Sequence, residues 1–209
     1  DVSRIQNFMS APLNLLAYKD YMGRMMERFF RDNYQAAFLD EPFPVGFHES
    51  KIWLNKVAAF FGKRDRVEET IAVHEKSYRL EIERLKPVLK GKKLMIITYN
   101  HQPDWILEAA LDLEMDIVKV GILNFSQDDR LVTRFADRLP LEEKYDQSRR
   151  LEDIRALRPD IFLSNYASPD TEPYVFSDTI PYCPDVGFLS GLTLARRWAG
   201  LFQLNLHEG

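Results

Sequence analysis

From Lys92 onward the chain alternates short runs that are apolar at nearly every position with longer amphipathic stretches. Leu94-Met95-Ile96-Ile97-Thr98, Ile117-Val118-Lys119-Val120-Gly121-Ile122 and Ile161-Phe162-Leu163-Ser164 read as strands, with Ile106 to Leu113 as a helix between the first two. A strand that is apolar on both faces must be covered on both, and a parallel sheet with crossover helices above and below supplies that cover. Right-handed crossovers then wind the segment into an α/β fold, a Rossmann-like doubly wound parallel sheet with flanking helices. The same grammar predicts helices near 128–138 and 147–158, the second capped by Asp146, a strand edge at Ile180-Pro181-Tyr182, and a last helix near 189–200.

Before Lys92 the pattern differs. Pro12 suits a first helical turn, and Leu15, Leu16, Met22, Met25, Met26, Phe29 and Phe30 follow at helical spacing, so a helix is expected from about 12 to 33. Its methionine and aromatic stripe looks like a soft cofactor face, but core packing is the commoner use of such a stripe and is the reading taken here. Ala36-Ala37-Phe38-Leu39 reads as a short buried strand, stopped by Pro42, Pro44 and Gly46. Ser50 is placed to cap a second helix carrying Trp53, Leu54, Val57, Ala58 and Phe61, with Gly62 as its left-handed stop. Asp65 then opens a long charged helix, about 66 to 89, closed by Gly91. The chain thus divides into residues 1–91, helical with one short strand and part of a preceding or shared α/β domain, and residues 92–209, a Rossmann-like β-α-β domain.

Composition narrows the function. With 209 residues, 45% of them hydrophobic, the chain can bury one sizeable core or two small ones. Its 28 basic and 32 acidic residues leave a net charge of -4, too little field to draw nucleic acid. A single cysteine excludes an internal disulfide and any zinc or iron–sulfur site made only of this chain's thiolates, and a reducing cytoplasm is the expected setting. No apolar run approaches the ~20 residues that span a bilayer. A Gly-rich phosphate loop, Gly-x-Ser-x-Gly and His-Glu-x-x-His are all missing from the sequence, which disfavours nucleotide hydrolysis and triad chemistry. The chain starts at Asp1 and stops at Gly209 with no cap or tail pattern, so both ends read as cut.

Doubly wound sheets bind ligands at the carboxyl ends of their strands, so the candidate residues are sought there. Tyr99, Asn100, His101 and Gln102 follow the first strand of the β-α-β region. His101 can serve as a proton donor or axial ligand, or simply help Pro103 and Asp104 start a helix. Asn124, Phe125 and Ser126 fill the loop after the second strand, where they line a pocket or cap a helix beginning near Asp128. Ser164, Asn165 and Tyr166 end a later strand, where they contact a ligand or form a turn before Pro169. Cys183 can add one metal ligand to a cluster completed by a partner, or act as a small buried filler. His48 and Glu49 are adjacent and point apart, so surface capping is expected of them, while His74 and His207 read as solvent-facing.

Several local strings, in order, resemble the α-type subunit of the nitrogenase component 1-like oxidoreductases. They are Leu13-Asn14-Leu15, then Pro44-Val45-Gly46-Phe47 with Ser50 and Trp53-Leu54, then Leu111-Asp112-Leu113-Glu114-Met115-Asp116-Ile117-Val118, where Glu114 replaces a family glycine. Arg158-Pro159-Asp160-Ile161, Ile180-Pro181, and Gly187-Phe188 with Leu192 to Arg196 complete the series. The resemblance implies a C-terminal half of a subunit with three Rossmann-like domains around metal clusters, paired with a beta-type subunit and fed electrons by an ATP-dependent reductase partner protein. It implies an iron–sulfur or related metallocluster in the parent complex, with relay cysteines upstream of this segment.

The departures are equally specific. The family's cofactor-ligating cysteine falls, by this reading, early in the first helix, where Ala17-Tyr18-Lys19 stand; its histidine falls in the loop that here runs Tyr182-Cys183-Pro184-Asp185-Val186. The family's Gly-Gly-x-Arg-Pro is replaced by Tyr99-Asn100-His101-Gln102-Pro103, which removes glycines and a cation beside the cofactor. The iron–molybdenum cofactor is therefore not expected here. The leading expectation is a pocket-shaping part of a two-component, ATP-driven reductase, with His101 as the proton donor and Tyr99, Asn100, Gln102, Phe125, Ser126 and Tyr166 lining the pocket. The alternatives are a non-catalytic carrier or assembly scaffold of the same family, binding a cluster or tetrapyrrole transiently, and a nucleotide-sugar or small-ligand domain of the same α/β grammar.

Overall fold

Five parallel strands form the sheet, in the spatial order Leu141–Glu143, Asp116–Ile122, Lys93–Thr98, Ile161–Ser164 and Phe176–Thr179. The computed structural model describes residues 10–99, 102–123, 133–166 and 172–205. In chain order the described elements are α1 (Tyr21–Tyr34), α2 (Phe47–Phe61), α3 (Arg64–Leu89), β1 (Lys93–Thr98), α4 (Asp104–Asp112), β2 (Asp116–Ile122), β3 (Leu141–Glu143), a 3-10 turn (Gln147–Arg149) leading into α5 (Arg150–Leu157), β4 (Ile161–Ser164), β5 (Phe176–Thr179) and α6 (Ser190–Asn205).

The central strands bury alternate residues on opposite faces, as the period of two requires. Leu94, Ile96, Ile161 and Leu163 join the larger core beneath α3, α4 and α6, while Met95, Ile97 and Phe162 join a smaller one with Ile154 of α5. Tyr78, Ile82, Leu85 and Leu89 of α3 are buried in the larger core, so the long helix before Lys92 covers the same sheet. Its exposed side carries the charges read from the sequence. Helix α6 comes down tightly on α4, because a Cβ on Gly191 would lie 2.7 Å from Ala109 Cβ.

The α/β expectation holds, and several local expectations are corrected. The first helix starts at Tyr21, not near 12, because Asp20 takes the cap and accepts Gly23 N–H at 2.7 Å. Upstream the chain is extended: Asn14 and Phe38 form a single parallel bridge, to which Asn14 Nδ2 adds a 3.0 Å bond to Ala37 O. Ala36–Leu39 is therefore a bridge rather than a strand. None of the described residues of α1 is buried, and Met22, Met25, Met26 and Phe29 are all exposed, against the expectation of a core-facing stripe.

Helix α2 begins after Gly46, whose φ of 101° favours glycine, and Ser50 lies inside its first turn, donating to Gly46 O at 2.6 Å. Helix α3 begins at Arg64 and ends at Leu89, with Lys90 as its cap just before Gly91. Residues 134–138 are turns rather than helix, the rest of that expected helix lies outside the described residues, and the chain then enters β3, too short and charged to be seen as a strand. The strand expected at Ile180 is β5, whose sequence Phe-Ser-Asp-Thr suits a sheet edge; Ile180 only extends its bonding, donating to Ser164 O at 2.7 Å. His74 is half-buried, its ring stacked 4.4 Å from that of Phe188, and not solvent-facing. Gly62 ends α2 in the left-handed region and Asp146 caps the 3-10 turn as expected.

Candidate functional site

The chain passes from β1 outward to β2 and β3, then crosses back over β1 to β4 and β5. The reversal makes the carboxyl ends of β1 and β4 the switch point of the sheet, the place where doubly wound sheets bind ligands. Tyr99 follows β1 and Tyr166 lies two residues beyond β4, and their rings meet with centroids 5.8 Å apart. Asn165 braces the pair: its Oδ1 accepts the Thr98 hydroxyl at 2.7 Å and the Tyr99 backbone N–H at 3.0 Å. Ser164 Oγ donates to Tyr166 O at 2.5 Å, which fixes the turn after β4.

The loop after β5 closes the same end. Tyr182, 86% exposed, acts on the Tyr99 hydroxyl, whose pKa is raised by burial first and then by the Tyr166 and Tyr182 phenols. Cys183 is exposed and meets Tyr18, whose own pKa is raised chiefly by a hydrogen bond with the thiol and then by its charge. This loop is pinned to the N-terminal segment by backbone bonds, Gly46 N–H to Gly187 O at 3.0 Å and Gly187 N–H to Pro44 O at 2.9 Å. Tyrosines from four separate segments thus converge on one edge of the sheet.

Of the residues expected from sequence, Tyr99 and Tyr166 are in contact, Cys183 joins them through Tyr18 and Tyr182, and Gln102 is exposed just before α4. Asn100, His101, Asn124, Phe125 and Ser126, like His207, lie outside the described residues. Two contributors escape the sequence reading: Tyr18 and Tyr182 stand there only as residues at ligand positions, whereas Asn165, expected to contact a ligand or form a turn, instead accepts bonds from β1. That both ligand positions should face one pocket was a signal available in the sequence comparison, and it would have paired Tyr18 with the 182–186 loop.

Among the described residues the donor set is unsuited to holding a metal cluster alone: the sequence has one thiol, and no three described His, Cys, Asp or Glu side chains are grouped to hold a metal ion. What the edge does offer is aromatic faces and phenol hydroxyls, which suit a flat conjugated ligand. Among the described residues no helix is long and apolar enough to cross a membrane.

The fold defines a doubly wound α/β unit with a switch point between β1 and β4, where the rings of Tyr99 and Tyr166 meet. A family model described as "Nitrogenase component 1 type Oxidoreductase" matches residues 1–203. The chain belongs to that family. It is 29% identical over 182 residues to the light-independent protochlorophyllide reductase subunit N of Prochlorococcus marinus subsp. pastoris, covering 80% of this chain and 41% of that protein. It is 30% identical over 116 residues to the nitrogenase molybdenum-iron protein alpha chain of Acidithiobacillus ferridurans, covering 52% of this chain and 22% of that one. The fold matches a solved chain of nitrogenase Cp1 at pH 6.5 with a TM-score of 0.69 and 14% identity, covering 96% of this chain and 51% of that one. The chain therefore spans less than half the length of these two curated relatives.

Proposed function

We propose that this chain is the pocket-shaping part of a nitrogenase component 1-like subunit in a two-component, ATP-driven iron–sulfur reductase. The observation that carries this reading is the Tyr99–Tyr166 ring pair at the β1–β4 switch point, braced by Asn165. In the parent complex an iron–sulfur cluster would supply low-potential electrons, and its ligands are assigned to segments or subunits other than this one. The residues here do different work. Tyr99, Tyr166 and Tyr182 present aromatic faces that stack on a planar substrate or cofactor and keep water off it. Asn165 has its carbonyl committed to β1, which leaves its NH2 group for a ligand acceptor. His101 is the proposed proton donor, with Asn100, Gln102, Phe125 and Ser126 as further lining. Cys183, facing Tyr18, is proposed as a ligand only where a partner completes the set. The partners are a beta-type component 1 subunit and an ATP-dependent reductase protein, and the compartment is the cytoplasm.

A second reading, a cofactor carrier or assembly scaffold of the same family, is favoured by the same donor set: one thiol and several exposed tyrosines hold an aromatic cargo more readily than a cluster. Titration of the protein with a soluble porphyrin, followed by ultraviolet and visible spectra, tests the shared claim. A saturable spectral shift is expected, weakened by about two- to tenfold in Y99A or Y166A, since one aromatic pair contributes about 0.5–1.5 kcal/mol beyond its buried area. Binding of nucleotides but of no porphyrin would sink both readings in favour of a nucleotide-sugar domain. Electron uptake by the bound ligand in the presence of the reductase partner and ATP supports the reductase; release of the ligand unchanged to another protein supports the carrier.

A further inference from the structure

Away from the tyrosines, three carboxylates converge on one guanidinium. Glu49 stands in the first turn of α2, Asp104 opens α4, Glu108 follows one turn later, and Arg134 comes from the segment after β2. Arg134 lies 3.4 Å from Glu49 Oε1, 3.3 Å from Asp104 Oδ2 and 3.5 Å from Glu108 Oε1, and its backbone N–H donates to Asp104 Oδ2 at 2.9 Å. His48 N–H donates to Glu108 Oε2 at 3.2 Å. Among the described residues two buried oxygens of the cluster have no hydrogen-bond partner, Asp104 Oδ1 and Glu49 Oε2, and Asp104 is only 8% exposed. Glu49 Oε2 fits where it does because Gly46 carries no side chain: a Cβ there would stand 3.1 Å from that oxygen. Neither the sequence pattern nor the tyrosine edge explains this cluster, and the expectation that His48 and Glu49 are surface caps is corrected by it.

Three carboxylates against one cation, partly withdrawn from water, need further positive charge. Among the described residues no other Lys, Arg or His side chain lies within ion-pair distance of the three. The groups facing the cluster from its surroundings are His48 and Lys51 on α2, Asp112 on α4, and Tyr78 on α3, whose hydroxyl donates to Asp112 at 3.0 Å. Lys51 is turned toward Glu75 of α3 at 3.7 Å. We propose that Glu49, Asp104 and Glu108, gathered round Arg134, form a partly buried proton-binding site in which one proton, carried by Glu49, takes the place of a second cation. Burial pushes both the Glu49 and the Glu108 carboxyls up, whereas burial and then Arg134 push His48 down, which works against the imidazole as the missing cation. The cluster ties the starts of α2 and α4 to the segment leading into β3.

The test compares thermal unfolding of the protein with that of Glu49→Gln from about pH 4 to about pH 8. A carboxyl whose folded pKa is raised gives stability below its unfolded value and loses it as pH rises through the folded value. Wild type should therefore match E49Q in acid and fall behind it toward neutral pH, by about 2–4 °C for each kcal/mol of proton affinity lost. His48 titrates with the opposite sign in both proteins and cancels in the difference. A flat difference across the range overturns the proposal, as does a wild-type Tm that rises when Na+ or K+ replaces choline at constant ionic strength while E49Q does not respond. Should E49Q fail to fold, infrared spectra of the wild type labelled with 13C-glutamate decide. A protonated-carboxyl band at neutral pH that shifts with the label supports the proton, and no such band refutes it.

Discussion

Asn165 holds Tyr99: the side-chain carbonyl at the end of β4 accepts the backbone N–H of Tyr99 at 3.0 Å, across the point where the winding of the sheet reverses. The same oxygen takes the Thr98 hydroxyl at 2.7 Å, so one amide ties the end of β4 to the end of β1.

Replacing Asn165 by alanine removes an acceptor shared by two donors in a half-buried setting. The expected loss is about 1–3 kcal/mol, read as a lowered urea midpoint, together with weaker porphyrin binding. Asn165→Asp keeps the acceptor oxygen and should stay closer to wild type in stability. Equal destabilisation by both variants would show that the clasp is not the source of the effect.

Two glycines of α6 should respond oppositely to a single methyl. A Cβ at Gly191 would meet Ala109 Cβ at 2.7 Å, so G191A forces α6 away from α4 and should cost about 1–3 kcal/mol. A Cβ at Gly200 meets nothing within 4 Å, and G200A should gain about 0.5–1 kcal/mol from helix propensity. Chemical denaturation of the pair measures both.

Glu114 stands where the family carries glycine, and its φ of 56° shows why glycine suits the position. Its carboxylate bridges Lys86 and Lys90, which hold its pKa down to about 2. Glycine relieves the left-handed backbone and loses the solvent-screened bridge, whereas alanine loses the bridge and keeps the strain. E114G should therefore unfold at a higher temperature than E114A. Because the folded pKa lies below the unfolded value of 4.5, the bridge contributes above that value and is lost as pH falls toward about 2. The Tm gap between wild type and E114A should close over that acid range.

Lys119 of β2 lies beneath Tyr145, its Nζ 2.9 Å from Glu142 and 3.0 Å from Asp153, which also accepts the Tyr145 hydroxyl at 2.8 Å. Burial alone would lower the Lys119 pKa, but the two carboxylates outweigh it and hold the pKa up; Asp153, raised by burial, is brought down further by Tyr145 and then Lys119. Asp153→Ala should cost about 1–3 kcal/mol near neutral pH, and Asp153→Asn less, since an amide still accepts the Tyr145 hydroxyl. The Asp153 pKa is depressed in the fold, so its contribution is present above the unfolded 3.8 and is lost in acid. A urea series at neutral and acid pH reads both effects.

The sheet was legible because its signal is local. Leu94 to Thr98 and Ile161 to Ser164 are apolar on both faces, and only a covered parallel sheet accommodates that, so class and strand positions follow from the residues themselves. The family resemblance likewise lay in short strings read along the chain, while Tyr99, Tyr166 and Cys183 came from looking at the carboxyl ends of the expected strands. β3 and β5 escaped because edge strands of three or four mixed residues carry no apolar run. The methionine stripe of α1 was misread because periodicity reports that a helix has an apolar side, not whether anything covers it. Only the tertiary structure decided that Tyr18 meets Cys183, that Asn165 clasps Tyr99, and that Arg134 gathers Glu49, Asp104 and Glu108. Each of these pairs residues far apart in sequence, brought together by crossovers, and no local pattern along a chain encodes which distant side chains a folded sheet will set face to face.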